Sequence, residues 1–116
     1  MSIPSVPLID ASKLEAVLKK FSDVRDWNKF HTPKNLLLAL TGEVGELVEI
    51  FQWLTEEESL RIASNPKTTQ SVCDELADVF IYLVRLSTIL GVDLNNAVEM
   101  KLVKNSEKYP PKDFMN

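Results

Sequence analysis

Length, composition and charge place the chain among small, acidic globular proteins. It has 116 residues, a formal net charge of −4 and 45% hydrophobic residues, with only three glycines. This length predicts one domain, residues 10–110, between an extended arm (1–9) and a short tail (111–116). The composition excludes a disordered or fibrous chain. The negative charge argues against nucleic acid polymers as partners, because phosphate binding requires a basic surface.

The sequence contains one cysteine and none of the patterns expected of a leader or a membrane-spanning segment. No basic-then-apolar leader opens the sequence, and no apolar run reaches the roughly 18 residues of a membrane span. We therefore expect a cytoplasmic protein with no membrane partner. The single Cys73 lies in an apolar helical run, which predicts a small buried core residue with a reduced thiol.

The first predicted helix follows the proline-containing arm. It begins near Asp10 or Ser12, where Ser12 and Glu15 have the spacing of a capping box, and its apolar stripe continues to about Trp27. No run in the chain shows the alternation typical of a strand. The pattern thus predicts an all-α protein.

Three more long helices and one short helix are predicted downstream. The second runs from Pro33, after a Thr32 N-cap, to about Trp53. Thr55 opens a short helix with a capping box. The third helix spans about residues 68–90, ends at a glycine and is apolar around more than half its circumference, so we expect a partner subunit to cover it. A fourth helix, capped by Asp93, continues to about residue 108.

Two acidic pairs lie inside the second and third helices, Glu43-x-x-Glu46 and Glu75-x-x-Asp78. This spacing places both members of a pair on one helix face, about one turn apart. At about 100° per residue, Glu43 and Glu75 fall on the apolar stripes. Glu46 and Asp78 lie roughly 60° to one side, still beside apolar residues, so we expect all four carboxylates to be buried. If the helices lie side by side, the four carboxylates converge and require a cation such as Mg²⁺. A solvated or salt-bridged face is the open alternative.

Two glycines flank the first acidic pair within the second helix. Gly42 and Gly45 each cost about 1 kcal/mol relative to alanine in a helix interior. Close approach of a backbone or a phosphate would explain them, and simple tolerance of glycine is the alternative.

Several stretches of the sequence form a recognisable set. They are residues 25–31 (RDWNKFH), 36–47 (LLLALTGEVGEL), 52–53 (QW), 74–79 (DELADV) and 81–83 (IYL). With their E-x-x-E and E-x-x-D motifs, they resemble the MazG-type all-α nucleoside triphosphate pyrophosphohydrolases. Among these stretches, those that contain the aromatic residues are most similar to the dCTP pyrophosphatase branch of the family. The resemblance covers about residues 14–110.

The resemblance implies a fold, an assembly and an activity. The fold is a four-helix MazG-like bundle with one short extra helix, assembled as a homo-oligomer, with a tetramer built as a dimer of dimers. The activity is Mg²⁺-dependent hydrolysis of (deoxy)nucleoside triphosphates, with dCTP the leading candidate, to the monophosphate and pyrophosphate in nucleotide-pool housecleaning. Glu43, Glu46, Glu75 and Asp78 match the family's metal ligands, for two or more Mg²⁺ ions. The general base stays open between Glu46 and Glu49.

Six residues match substrate-binding positions of the family. They are Trp27, His31, Trp53, Tyr82, Lys101 and Asn105. Aromatic faces suit a nucleobase because stacking gives affinity without a particular base edge. Core packing is the alternative for the aromatic residues, a backbone-bonded loop residue for His31, and a solvated face for Lys101 and Asn105. Animal members carry a histidine where Leu18 stands, which leaves the base preference open.

Two other classes of protein compete with this interpretation. A carboxylate-bridged di-iron bundle requires two Glu-x-x-His motifs, whereas the only histidine here lies outside both acidic pairs. A non-enzymatic helical interaction or regulatory module would use the apolar faces, but it does not explain acidic pairs on the apolar side of two helices.

Overall fold

The computed structural model describes residues 5–112, which form five α-helices and two 3-10 turns and contain no strand. The predicted all-α class is confirmed. The helices are α1 (Ser12–Val24), α2 (Pro33–Phe51), α3 (Glu56–Leu60), α4 (Pro66–Leu90) and α5 (Leu94–Lys108), and the 3-10 turns are Asn28–Phe30 and Ile62–Ser64. Of the predicted arm and tail, residues 1–4 and 113–116 lie outside the described residues.

The predicted N-caps of the later helices are confirmed. The Thr32 hydroxyl accepts from the Asn35 amide at 3.3 Å, and the Asp93 carboxylate accepts from the Asn96 amide at 2.9 Å. Thr55 and Glu58 form both bonds of a capping box, at 3.1 and 3.0 Å. These bonds pair amides that the first turn of each helix leaves without a partner.

The predicted capping box at the start of α1 is wrong. The N-cap is Ala11, and no side chain caps the helix. Ser12 instead donates its hydroxyl and its amide to the Asp10 carboxylate, at 2.6 and 3.1 Å. The Asp10 carboxylate thereby pairs the amide of Ser12, which is the first residue of the helix and not its N-cap.

The helix ends differ from the prediction by two or three residues. α1 stops at Val24, before a turn in which Asp26 has a φ of 55°. α4 begins at Pro66, because the Asn65 side chain accepts from the Lys67 amide at 3.0 Å and caps the helix there. Gly91, with a φ of 69°, ends α4 as predicted.

Packing within the chain centres on α4. The main contacts join α2 to α4 along their lengths and α1 to α4. α5 forms as predicted, but it has no buried residue and makes no extensive contact with another helix of the chain. The four long helices are therefore not closed into a bundle by one chain, which measures 59 × 38 × 24 Å.

The interior of a single chain is small. Within residues 5–112, the buried hydrophobic side chains are Leu36 and Val84, whereas α4 leaves Leu76 and Phe80 exposed by 53% and 42%. Cys73 is also exposed, so the prediction of a buried thiol is wrong. Its helix is apolar on a side that no other element of residues 5–112 covers. Across the described residues, none of the helices has the length and apolar character required to traverse a bilayer.

Candidate metal and nucleotide site

The contact between α2 and α4 brings the two acidic pairs together. Carboxylate oxygens of Glu43, Glu75 and Asp78 lie within 4.8 Å of one another, and all three side chains are half-buried. Glu46, one turn along α2 from Glu43, is exposed in the chain, so the expectation of burial is wrong for this member. Its charge still acts on the cluster, because it raises the pKa of both Glu43 and Glu75.

Ionisation of Glu43 and Glu75 is less favourable within the cluster than for isolated carboxyl groups. A hydrogen bond to Glu43, together with burial and the nearby charge of Glu46, raises the pKa of Glu75 to about 7. Burial, followed by repulsion from Glu46 and Asp78, raises the pKa of Glu43, although the hydrogen bond with Glu75 partly opposes this shift. Close carboxylates cannot all ionise without a compensating positive charge.

Two oxygens of the cluster have unmet bonding capacity. Glu43 Oε2 and Glu75 Oε2 are enclosed and, when both carboxylates are ionised, have no hydrogen-bond donor among the described residues. An enclosed carboxylate oxygen without a partner is unfavourable. Three convergent carboxylates with unpaired oxygens are the donor set that a hard divalent cation prefers, so these residues fit a metal ion.

The surface of α2 beside the cluster is open. A Cβ added at Gly42 or Gly45 would meet no atom within 4 Å in the described part of the chain. Close approach by another segment of residues 5–112 therefore does not explain these glycines. Approach by a phosphate or by a second copy stays a prediction.

An aromatic cavity adjoins the acidic cluster. A cavity of about 460 Å³ lies between α1 and α4, and Asp78 of the cluster is part of its wall. A neighbouring cavity of about 300 Å³ extends towards α2. Trp27, His31 and Tyr82 line both of them. The structure thus brings three of the six predicted substrate residues together beside one of the predicted metal ligands.

The other three predicted substrate residues lie elsewhere on the chain. Trp53 follows the end of α2 and is 87% exposed. Lys101 and Asn105 belong to α5, which stands apart from the other long helices. None of the three lines either aromatic cavity of the single chain.

Sequence reasoning missed Arg85, which belongs to the wall of the larger cavity. This α4 residue is buried, and its Nε donates to His31 Nδ1 at 3.2 Å while Nη2 donates to Asn28 Oδ1 at 2.8 Å. Its position in the sequence could have indicated that it faces the site, because it stands seven residues after Asp78 on the same face of an otherwise apolar helical run. The His31 side chain is thus held by an arginine, in contrast to the backbone-bonded alternative.

Comparison with known proteins decides the family. Residues 39–116, which contain both acidic pairs, match the MazG-like family. A solved pyrophosphatase from Archaeoglobus fulgidus DSM 4304 superimposes with a TM-score of 0.81 at 37% identity, over 95% of this chain and 100% of that one. The chain belongs to the MazG-like family.

Curated relatives extend the similarity of this MazG-like chain towards its amino terminus. It is 47% identical to dCTP pyrophosphatase 1 of Rattus norvegicus and 46% identical to that of Homo sapiens, each over 107 residues and 92% of this chain. The aligned region is 61% of the length of each of these relatives. Both the family and the all-α fold agree with the resemblance found in the sequence.

Proposed function

We propose that the chain is a nucleoside triphosphate pyrophosphohydrolase that prefers deoxynucleotides, with dCTP the leading substrate. The observation that carries this proposal is the junction at Asp78, which belongs both to the acidic cluster and to the wall of the aromatic cavity. Triphosphate and base of one nucleotide could then be bound side by side. The names of the curated relatives and of the solved pyrophosphatase support the same activity. We assign it to residues 10–110.

Glu43, Glu46, Glu75 and Asp78 would hold Mg²⁺, with two or more ions matched to a polyanionic substrate. When bound, Mg²⁺ would neutralise phosphate oxygens and lower the pKa of a water molecule. Water attacks the α-phosphorus, the bond to the bridging oxygen breaks, and pyrophosphate leaves. Glu46 and Glu49 are the candidates for accepting the proton of that water, because both are exposed within about a turn of the cluster.

The aromatic cavity would bind the nucleoside. Trp27 and Tyr82 offer faces for stacking, which is worth about 1–3 kcal/mol per base. Apolar walls near the sugar would leave a 2′-hydroxyl without a partner, so ribonucleotides bind less well. Nucleotide-pool housecleaning in the cytoplasm is the role that this activity supports.

The active assembly would be a homotetramer built as a dimer of dimers. One chain leaves apolar side chains of α4 exposed, and among the described residues α5 makes no extensive contact with another helix. A second copy would bury both surfaces. It would also bring Trp53, Lys101 and Asn105 to a cavity that they do not reach within their own chain.

The deciding experiment is kcat/KM for dCTP, dATP, dTTP, dGTP and CTP, with and without Mg²⁺, together with identification of the products. We expect dCMP and pyrophosphate, a requirement for Mg²⁺ and a preference for dCTP over CTP. Equal values for CTP and dCTP would refute the sugar argument, and a low value for dCTP would refute the base assignment. Diphosphate plus phosphate would refute attack at the α-phosphorus. No turnover of any substrate by a folded oligomer would favour the non-enzymatic interaction module.

A further inference from the structure

Arg85 is a buried cation without an ion pair. It is 5% exposed, and no salt bridge of the described chain includes it. Its guanidinium donates from Nε to His31 Nδ1 at 3.2 Å and from Nη2 to Asn28 Oδ1 at 2.8 Å. Burial of an unpaired charge is unfavourable, so the two hydrogen bonds to His31 and Asn28 are needed to compensate the guanidinium for its lost contact with water.

The bond from Arg85 fixes the protonation of the His31 ring. A guanidinium has donors and no acceptor, so the ring nitrogen that faces it must be unprotonated, and the proton of the neutral ring is on Nε2. Burial, followed by the charge of Arg85, lowers the pKa of His31 and keeps the ring neutral at pH 7. The Ser22 hydroxyl also faces Nδ1, at 3.5 Å, and is the weaker contact.

The Nε2 side of His31 is available to a ligand. Within residues 5–112, the hydrogen bonds of this ring all involve Nδ1. His31 lines both aromatic cavities next to Trp27 and Tyr82. The ring therefore offers one N–H donor at the site where the proposed function places the base.

We propose that Arg85 is a positioning residue that holds His31 as its Nε2–H tautomer, so that this N–H donates to an acceptor atom of the bound base, O2 or N3 of cytosine. The inference rests on the proposed function for the identity of the ligand. At the N3 position thymine presents an N–H in place of the acceptor, which would put two donors face to face, whereas O2 is an acceptor in both bases. The ring cannot adapt by moving its proton to Nδ1, because Arg85 cannot accept a hydrogen bond.

The tautomer can be measured without substrate, because His31 is the only histidine of the chain. Tag-free, ¹⁵N-labelled protein would be examined by long-range ¹H–¹⁵N correlation at pH 8. We expect an unprotonated Nδ1 and a protonated Nε2 in the wild type and in Ser22→Ala. The double variant Ser22→Ala/Arg85→Met should show averaged nitrogen shifts of a ring that exchanges between tautomers. A protonated Nδ1 in the wild type, or unchanged shifts in the double variant, would overturn the role of Arg85.

A pair of substitutions tests the donor to the base and remains informative if the double variant does not fold. Glutamine can place an N–H near the Nε2 position of histidine, whereas asparagine can do so only near Nδ1. We expect KM for dCTP to be roughly three- to tenfold higher in His31→Asn than in His31→Gln, with similar kcat, as for the loss of one hydrogen bond. Equal KM values in the two variants would overturn the donor role. Absence of wild-type turnover would refute the proposed function instead, and the tautomer measurement would still decide the role of Arg85.

Discussion

At the scale of single residues, protonation and cation binding place opposite requirements on the carboxyl groups of Glu43 and Glu75. Each has an enclosed oxygen without a partner, and the pKa of each carboxyl is raised, that of Glu75 to about 7. A protonated pair is stable but cannot bind a cation well, whereas an ionised pair binds a cation but repels itself. A metal ion that bound at this cluster would therefore displace protons from it.

Removal of one charge from the cluster should separate activity from folding. We expect Glu43→Gln or Glu75→Gln to lower kcat/KM for dCTP by at least about 100-fold, because metal binding supplies several kcal/mol of transition-state stabilisation. Circular dichroism should show an unchanged helix content. Glu57→Gln is the matched control, since Glu57 pairs only with Arg61 on the exposed surface of α3, at 3.2 Å. Wild-type turnover in either site variant would refute the assignment.

The raised pKa values predict how stability depends on pH. With a folded-state pKa of about 7 for Glu75 against an ordinary value of 4.5, the folded state binds more protons than the unfolded state between these limits. The stabilising effect is complete below about pH 4.5 and is lost as the pH rises through 7. The pKa of His31 is lowered, so this residue acts in the opposite direction below pH 6.5.

The measurement is the Tm of metal-free protein from pH 5 to pH 8, compared between the wild type and Glu75→Gln. We expect the wild type to lose stability relative to the variant as the pH rises, and saturating Mg²⁺ to remove the difference in slope. Parallel curves for the two metal-free proteins would show that Glu75 does not hold a proton in the folded state.

At the scale of elements, the sequence was sufficient to predict the structure where a local interaction determines it. The caps at Thr32, Thr55 and Asp93 follow from contacts within three residues, and the α2–α4 alignment follows from acidic residues on two apolar stripes. The cap of α1 was missed because Asp10 accepts from the Ser12 amide and the helix begins at Ser12, whereas periodicity does not distinguish the first residue of a helix from its N-cap.

The junction between α4 and α5 depends on one backbone conformation. Gly91 has a φ of 69°, and a Cβ there would meet nothing within 4 Å, so a side chain would be opposed by backbone strain alone. We expect Gly91→Ala to lower the free energy of unfolding by about 1–2 kcal/mol. Gly45→Ala, in a helix and equally open, should raise it by about 1 kcal/mol. Chemical denaturation of both variants tests this, and equal effects of the two would contradict the strain argument.

At the scale of the whole molecule, a single chain leaves many of its apolar side chains exposed. Periodicity shows that α4 is apolar on most sides, but it cannot show whether α1, α5 or another copy covers each side. The prediction that Cys73 is buried was wrong within one chain for this reason. The sequence could not predict that Arg85 lies beside His31 either, because the two residues are 54 positions apart.

We expect light scattering at micromolar concentration to give about 52 kDa, the mass of four chains of 13.1 kDa. Phe80→Glu should shift the protein towards smaller species, because it places a charge on the exposed apolar side of α4. Lys20→Glu, at an exposed position of α1, is the control for added negative charge. A stable 13.1 kDa species for the wild type would contradict the assembly.

The two tryptophans give the protein two separate optical probes. Trp27 packs edge-on against Phe21 at 5.5 Å and lines both aromatic cavities, whereas Trp53 is 87% exposed at the end of α2. Light emitted by Trp53 in an isolated chain should therefore have the long wavelength of indole in water, and it should move to shorter wavelength when another copy covers the ring. In an isolated chain, quenching of Trp27 by a stacked base should leave that wavelength unchanged. In Trp53→Phe the remaining Trp27 therefore reports nucleotide binding, and in Trp27→Phe without nucleotide the remaining Trp53 reports subunit association.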